Sequence, residues 1–304
     1  MRNVVAVDIG GTRTRVAALE QGQIKARRSF PTQSLVELKV GLDQVLQEAG
    51  WAKPQAIGVA AAGPVDMRSG QLLNPPNLPP GMRTASVGTE LQATFGCPVY
   101  VANDATTAAI GELEYGHKAQ DFVYITWSTG IGGGIVCGGR VVWGATGQAG
   151  EIGHMVIRPR GPRCGCGKRG CLEALAGGAG LAKAARRRFG QAISARELVT
   201  LAQKGNPQAL ELVKTACQAM GQAVALLWEL LEPELFVFGG GFTGSWDLLA
   251  PRVLEAARPL ARGSLRLAVT PLGDDVGLLG ASALWKHISP DWGALQAGRV
   301  RTPG

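Results

Sequence analysis

Val4 to Leu19 reads VVAVDIGGTRTRVAAL, and Val123 to Val136 reads VYITWSTGIGGGIV. In each, an apolar run enters a glycine-bearing turn and returns as a second apolar run, the pattern of a β-hairpin whose tip exposes backbone N–H groups that can cradle phosphate oxygens. Asp8 breaks the first run, and Gly10, Gly11 and Thr12 form its turn; Thr129, Gly130 and Gly132 stand in the second. A lone Gly-Gly turn usually only reverses a chain. Here, however, each hairpin continues into another glycine-bearing turn, Gln21-Gly22-Gln23 and Gly138-Gly139-Arg140. That is an internal repeat of about half the chain, which predicts two related α/β halves.

Composition is compatible with such a duplication. At 304 residues the chain exceeds what one hydrophobic core usually supports. No stretch approaches the ~18 to 20 apolar residues of a membrane span, and a strand pattern follows Met1 almost at once, so a cytoplasmic protein without membrane contact is expected. Six cysteines, three of them scattered as Cys97, Cys137 and Cys217, fit a reducing compartment. The net charge of +8 falls in local groups such as Arg158, Arg160 and Arg163, or Arg186 to Arg188. Without aromatic interleaving or a helix-turn-helix pattern, these read as solvated surface that steers nucleotides, not as a nucleic-acid site.

Between the hairpins, Leu35, Leu38, Leu42, Val45 and Leu46 recur at helical spacing up to Gly50. Ala56 to Ala62 is a buried strand ending at Gly63-Pro64, and NPPNLPPG from Asn74 to Gly81 is a proline-stiffened loop that would hold Asn77 in place. Pro98 to Val101 predicts a strand and Ala105 to Leu113 a helix, which puts Asn103 and Asp104 at the junction. On spacing alone Asp104 reads as an N-cap. Ligands also bind at strand carboxyl ends in α/β sheets. Further on, Gly178 to Phe189, Glu197 to Lys204 and a long stripe opened by Asn206-Pro207 read as helices. Leu235 to Phe238 is a strand followed by Gly239, Gly240 and Gly241, which permit close backbone approach.

Glu151 to Glu173, EIGHMVIRPRGPRCGCGKRGCLE, is too broken by Gly and Pro for a long regular element. His154, Cys164, Cys166 and Cys171 supply a tetrahedral ligand set for zinc with no position open to water, so the ion would be structural. Buried thiols or a disulfide are the alternatives, but this glycine-rich basic loop has no apolar run in which to bury cysteines. Glu151 and Glu173 flank the ligands, and one clamped loop would bring both acids near one point.

The run GIGGGIVCGGRVVWGATGQAGEIGH, followed by CGCGKRGCLE, resembles the signature of the ROK family of sugar kinases and sugar-responsive repressors. That resemblance implies the actin-like ATPase, or ribonuclease H-like, duplicated fold, with two domains around a nucleotide and sugar cleft. Residues 1–104 would form the small domain, completed by a C-terminal helix at about 275–288. Residues 105–274 would form the large one with the zinc loop 154–171, and 289–304 a flexible tail. It further implies that Asp8 to Thr12 and Thr129 to Gly133 are phosphate loops and that Gly239 to Gly241 is the adenosine loop. Within VANDATTAAIGE, Asp104 would be the catalytic base. Gly63, Asn77, Asn103, Asp104, Glu151, His154 and Glu173 would bind the sugar, His154 with one ring nitrogen on zinc and the other toward the substrate. ATP and Mg²⁺ are the implied cofactors, with Asp8 behind the Mg²⁺, and a homodimer or homotetramer the implied assembly. Gly177 stands where relatives often carry Ser.

The expected activity is ATP-dependent phosphorylation of a hexose 6-hydroxyl, glucose first, with N-acetylglucosamine or N-acetylmannosamine as the rival acceptor and polyphosphate as a minor alternative donor. A non-catalytic sugar-sensing regulator is the alternative of another class. Its relatives carry a DNA-binding module ahead of the sugar domain, for which a phosphate loop starting at Asp8 leaves no room. A bare zinc module would leave the two hairpins and Asp104 unexplained.

Overall fold

The computed structural model describes residues 3–288; the tail expected to fray from Ser289 lies outside them. The chain divides into two compact units, one of Met1–Lys118, Arg140–Ala149 and the segment from Asp275 onward, the other of Ala119–Gly139 and Gly150–Asp274. The helix that starts at Asp104 belongs to the first unit, whereas the sequence places it at the head of the second domain.

In the first unit, β1 (Asn3–Ile9), β2 (Arg13–Glu20) and β3 (Gln23–Pro31) form an antiparallel meander. Gln21 and Gly22 turn β2 into β3 with φ of 52° and 83°, the left-handed pair that a two-residue hairpin demands. Helix α1 (Leu35–Ala49) is capped by Ser34 and stopped by Gly50 at φ 70°, and its predicted stripe of Leu38, Leu42, Val45 and Leu46 is buried. After β4 (Ala56–Ala61), the small hairpin of β5 (Val65–Asp66) and β6 (Gln71–Leu72), and α2 (Val87–Phe95) come β7 (Val99–Asn103) and α3 (Asp104–Tyr115).

The sheet order is β3-β2-β1-β4-β7, with β1, β4 and β7 parallel. Register sets Ile9 beside Ala61 and Ala61 beside Asn103. Three loops therefore leave the sheet at one carboxyl edge, carrying Gly10, Gly63 and Asp104.

In the second unit β8 (Phe122–Trp127) and β9 (Ile131–Cys137) form the second hairpin, after which Gly138 and Gly139 turn at φ 55° and 68°; the short strand β10 (Arg140–Val141) that follows is counted with the first unit. Helices α4 (Leu172–Ala176), α5 (Gly178–Phe189), α6 (Ala195–Gln203) and α7 (Pro207–Leu231) follow. Ser194 and Glu197 make the capping box of α6, and Asn206 caps α7 ahead of its first-turn proline. β11 (Leu235–Gly239), α8 (Trp246–Ala257) and β12 (Leu267–Val269) complete the unit. The strands run β9-β8-β11-β12, antiparallel at the hairpin and parallel beyond it. This repeats β2-β1-β4-β7 of the first unit, so the duplication read from the two hairpins is a duplication of sheets.

Helix α9 (Val276–His287) returns to the first unit and packs on α3, β1 and β4. It comes close because glycines face one another: a Cβ on Gly280 would lie 2.9 Å from the Gly111 nitrogen, and one on Gly111 would lie 3.0 Å from the Gly280 nitrogen. Among the described residues no helix is long and apolar enough to cross a membrane.

Candidate functional site

The first glycine turn closes with Gly10 N–H donating to the Arg13 carbonyl at 3.0 Å, and the end of β3 braces it. Buried Thr32 donates its N–H to the Thr12 carbonyl at 3.0 Å and its hydroxyl to the Gly10 carbonyl at 2.8 Å. Gly11 and Thr12 are left exposed at the tip. A Cβ on Gly11 would sit 2.9 Å from the Asn77 carbonyl oxygen, so the proline-stiffened loop lies directly against the turn.

That loop is held from inside by Arg83, whose guanidinium donates to the Leu78 and Pro76 carbonyls at 2.8 and 3.1 Å. One arginine a few residues past a proline run carries no sequence signal that could have marked it. Asp8 also has a partner that was not anticipated: Arg15, its register neighbour on β2, forms an ion pair with its Oδ2 and donates Nε to it at 3.1 Å. The hairpin register does contain that pairing, since a tight turn sets residue 8 opposite residue 15.

Gly63 turns at φ 94°, and a Cβ there would lie 2.5 Å from Pro75 Cβ. Its carbonyl accepts from Asn103 Nδ2 at 3.2 Å. Asn103, rather than Asp104, is the N-cap of α3: its Oδ1 accepts from the N–H groups of Ala105 at 2.9 Å and Thr106 at 3.4 Å. Asn103 keeps non-helical φ and ψ of −59° and 145°, the conformation a cap requires, while Asp104 is already the first helical residue. Both ends of the Asn103 amide thus have protein partners, and the asparagine locks the junction. Asp104 is half-buried there, its Oδ1 accepting from Ala105 N–H at 2.8 Å, where the helix macrodipole favours a carboxylate.

In the second unit, the turn after β8 folds on itself with Ser128 N–H donating to the Gly130 carbonyl at 3.0 Å. Thr129 is exposed at the apex. Ile131 N–H donates to Glu173 Oε2 at 3.0 Å, which brings the acid of α4 onto the loop. Trp127, fully buried at the end of β8, donates its indole N–H to the Ala176 carbonyl at 2.8 Å and stacks on Phe242 with centroids 5.1 Å apart. Of the three glycines after β11, Gly239 packs against Tyr124, and Gly240, at φ 87°, would place a Cβ 2.7 Å from the Trp127 carbonyl oxygen. Gly241 has open space around it, and packing does not account for it.

His154, Cys164, Cys166 and Cys171 converge: one donor atom from each lies within 4.8 Å of the others. Cys166 Sγ is 3.6 Å from Cys171 Sγ, and Cys164 Sγ is 3.6 Å from His154 Nδ1. A disulfide needs ~2.0 Å, and all six cysteines are free, which removes that alternative. A tetrahedron with sulfur ~2.3 Å from its centre has edges of ~3.8 Å, so the donor set fits a tetrahedral, thiophilic cation. Burial, then the hydrogen bonds and charges of Cys166 and Cys164, push the Cys171 thiol up to about 12. A cation among these sulfurs would offset that crowding.

With Nδ1 turned to the thiols, the other ring nitrogen of His154, Nε2, faces Glu151 Oε2 at 3.9 Å. Partial burial raises the Glu151 carboxyl above the ordinary carboxylate value, the His154 charge lowers it and the Glu173 charge raises it. The side chain is 43% open to solvent, which damps these effects. Glu151, His154 and Glu173 thus form one cluster in the second unit, while Gly11, Gly63, Asn77, Asn103 and Asp104 lie along one sheet edge in the first.

A family model described as "ROK family" matches residues 4–288. The chain belongs to the ROK family. An N-acetylmannosamine kinase of Shigella flexneri is 35% identical over 92% of this ROK chain and 97% of its own length. Among solved structures, a ROK hexokinase from Thermus thermophilus is 35% identical with a TM-score of 0.83, covering 93% of this chain and 97% of that one. A ROK family glucokinase from Streptomyces griseus, solved with glucose and AMPPNP, is 28% identical with a TM-score of 0.78, covering 93% and 98%. The fold is therefore the two-domain actin-like ATPase fold of these proteins.

Proposed function

We propose that the protein is an ATP-dependent sugar kinase that phosphorylates the 6-hydroxyl of an N-acylated hexosamine, N-acetylmannosamine first. The single observation that carries the acceptor is the 35% identity, over 92% of the chain, to an N-acetylmannosamine kinase. Glucose, the first expectation from the sequence, becomes the second reading, favoured by likeness to the Thermus hexokinase and the Streptomyces glucokinase.

Asp104 is the general base, taking the proton of the attacking hydroxyl at the carboxyl edge of β7. Asn103 acts through the junction: by capping α3 and holding Gly63 it fixes the backbone from which Asp104 projects. Glu151, His154 and Glu173 accept from and donate to sugar hydroxyls, so a misplaced hydroxyl leaves buried groups unpaired. The turn tips at Gly11–Thr12 and Thr129–Gly130 offer backbone donors to the phosphates, and the clear space at Gly241 admits the adenosine. Asp8 would stand behind a Mg²⁺ entering with the nucleotide, and such an ion would neutralise phosphate charge. For that, Asp8 has to share its carboxylate with Arg15. His154, Cys164, Cys166 and Cys171 would hold a zinc ion, and Nδ1 ligation would fix the tautomer of the His154 imidazole.

ADP release with Mg-ATP against N-acetylmannosamine, N-acetylglucosamine, glucose, mannose and fructose tests the proposal, with Asp104→Asn alongside. The expected result is preferred turnover of N-acetylmannosamine that falls by roughly 10²- to 10⁴-fold in the variant. Preference for glucose would replace the acceptor, and unchanged turnover in Asp104→Asn would remove the assigned base.

A further inference from the structure

Glu173, an acid of the expected sugar set, hydrogen-bonds a glycine turn. We infer that it is a positioning residue for the phosphate loop Thr129–Gly133, tying the shape of the nucleotide-binding turn to the segment that holds the sugar and the candidate metal centre. The inference rests on the kinase reading and deepens it, giving Glu173 a task on the donor side that a sugar ligand does not have.

Four contacts carry it, all within the second unit. Glu173 Oε2 accepts the Ile131 N–H at 3.0 Å, a charge-assisted bond to the residue where the turn becomes β9. Gly178 and Ala179 N–H groups, just past α4, donate to the Ser128 and Thr129 carbonyls, both at 2.9 Å. Trp127, the last residue before the turn, donates to the Ala176 carbonyl at 2.8 Å. Gly177 is pressed into the same joint: a Cβ there would lie 2.7 Å from the Glu173 carbonyl oxygen and 3.3 Å from that of Thr129. The absence of a side chain at Gly177 lets α4 close on the loop.

The far end of α4 is tied just as firmly. Its N-cap is Cys171, one of the four converging metal-ligand residues, and Leu172 N–H donates to the Met155 carbonyl at 2.9 Å, one residue beyond His154. A five-residue helix pinned at both ends is a strut. The turn also has few donors to spare: Ser128 spends its N–H on Gly130 and Ile131 on Glu173, so the apex presented to a phosphate is Thr129-Gly130. A carboxylate beside a polyanion site costs affinity through charge alone. Its presence is explained by the conformation it enforces.

Two measurements on the intact 304-residue chain test this: hydrogen–deuterium exchange of the peptide spanning Trp127 to Cys137, and calorimetric affinity for Mg-AMPPNP with no sugar present. Both are made on the unsubstituted chain, Glu173→Gln and Glu173→Ala. The glutamine keeps an oxygen that can accept the Ile131 N–H; the alanine removes it. The expected result is roughly tenfold or greater acceleration of exchange and a similar loss of nucleotide affinity in Glu173→Ala, with Glu173→Gln within about threefold of the parent in both. Parent-like exchange and affinity in Glu173→Ala would overturn the inference and leave Glu173 a sugar ligand only. Equal loosening in Glu173→Gln would overturn it too, since charge and not an acceptor in place would then be at work. If the unsubstituted chain binds no nucleotide, the kinase reading fails separately, and exchange alone decides whether Glu173 orders the turn.

Discussion

His154 carries two demands on one ring. Its Nδ1 is turned to Cys164 and its Nε2 to Glu151, so an ion on the first nitrogen sets the tautomer of the second. His154→Ala should therefore lose bound zinc and sugar affinity together, read by metal analysis and by calorimetry with N-acetylmannosamine. Full zinc content in that variant would separate the two roles. Arg83 makes a different residue-scale prediction. Arg83→Met removes both donors that hold the proline loop while leaving every expected ligand intact. Sugar affinity should fall by roughly tenfold, the worth of one or two such bonds, with kcat changed less.

At the scale of elements, α9 on α3 is the contact that closes the first unit, and it depends on Gly111 and Gly280 meeting backbone to backbone. Gly280→Val forces the helices apart and should cost about 1–3 kcal/mol or more in chemical denaturation. The same helix pair is tied electrostatically by Glu114, which meets Lys286 and His287. Burial pushes the Glu114 carboxyl up, but the hydrogen bonds and charges of Lys286 and His287 outweigh it and leave the group below its ordinary value. A carboxyl lowered on folding stabilises the native state above its unfolded pKa, and that contribution is lost as pH falls through the folded value. Glu114→Gln should lower the melting temperature at pH 7, and the two curves should converge as the pH drops below about 4. A gap that stays constant with pH would mean that packing, not charge, is what the substitution removes.

For the whole molecule, the two repeats differ in what braces their glycine turns. In the first unit the brace is the end of β3 and the Asn77 loop, all main-chain and hydroxyl contacts. In the second it is α4, whose N-terminus begins at a candidate metal-ligand residue. Chelation should accordingly loosen residues 127–137 and 151–177 in hydrogen exchange while leaving residues 3–31 as protected as before. Equal loosening of both turns would place the metal's influence on the entire fold.

What the sequence determined by itself is what short-range chemistry dictates. The hairpins, the caps at Ser194 and Asn206, the stop at Gly50, the α7 stripe and the Cys-rich donor set each follow from residues a few positions apart, so they are legible in one dimension. The duplication was legible for the same reason, since it is a local pattern that occurs twice. Tertiary structure alone decided which of two adjacent polar residues caps α3, because Asn103 can cap and hold Gly63 at once while its neighbour enters the helix. It alone brought Glu173 to Ile131, Arg83 under the proline loop, and Gly280 onto Gly111. Those contacts join residues whose separation along the chain encodes nothing about their distance in space, and they exist only once the sheets and helices have packed.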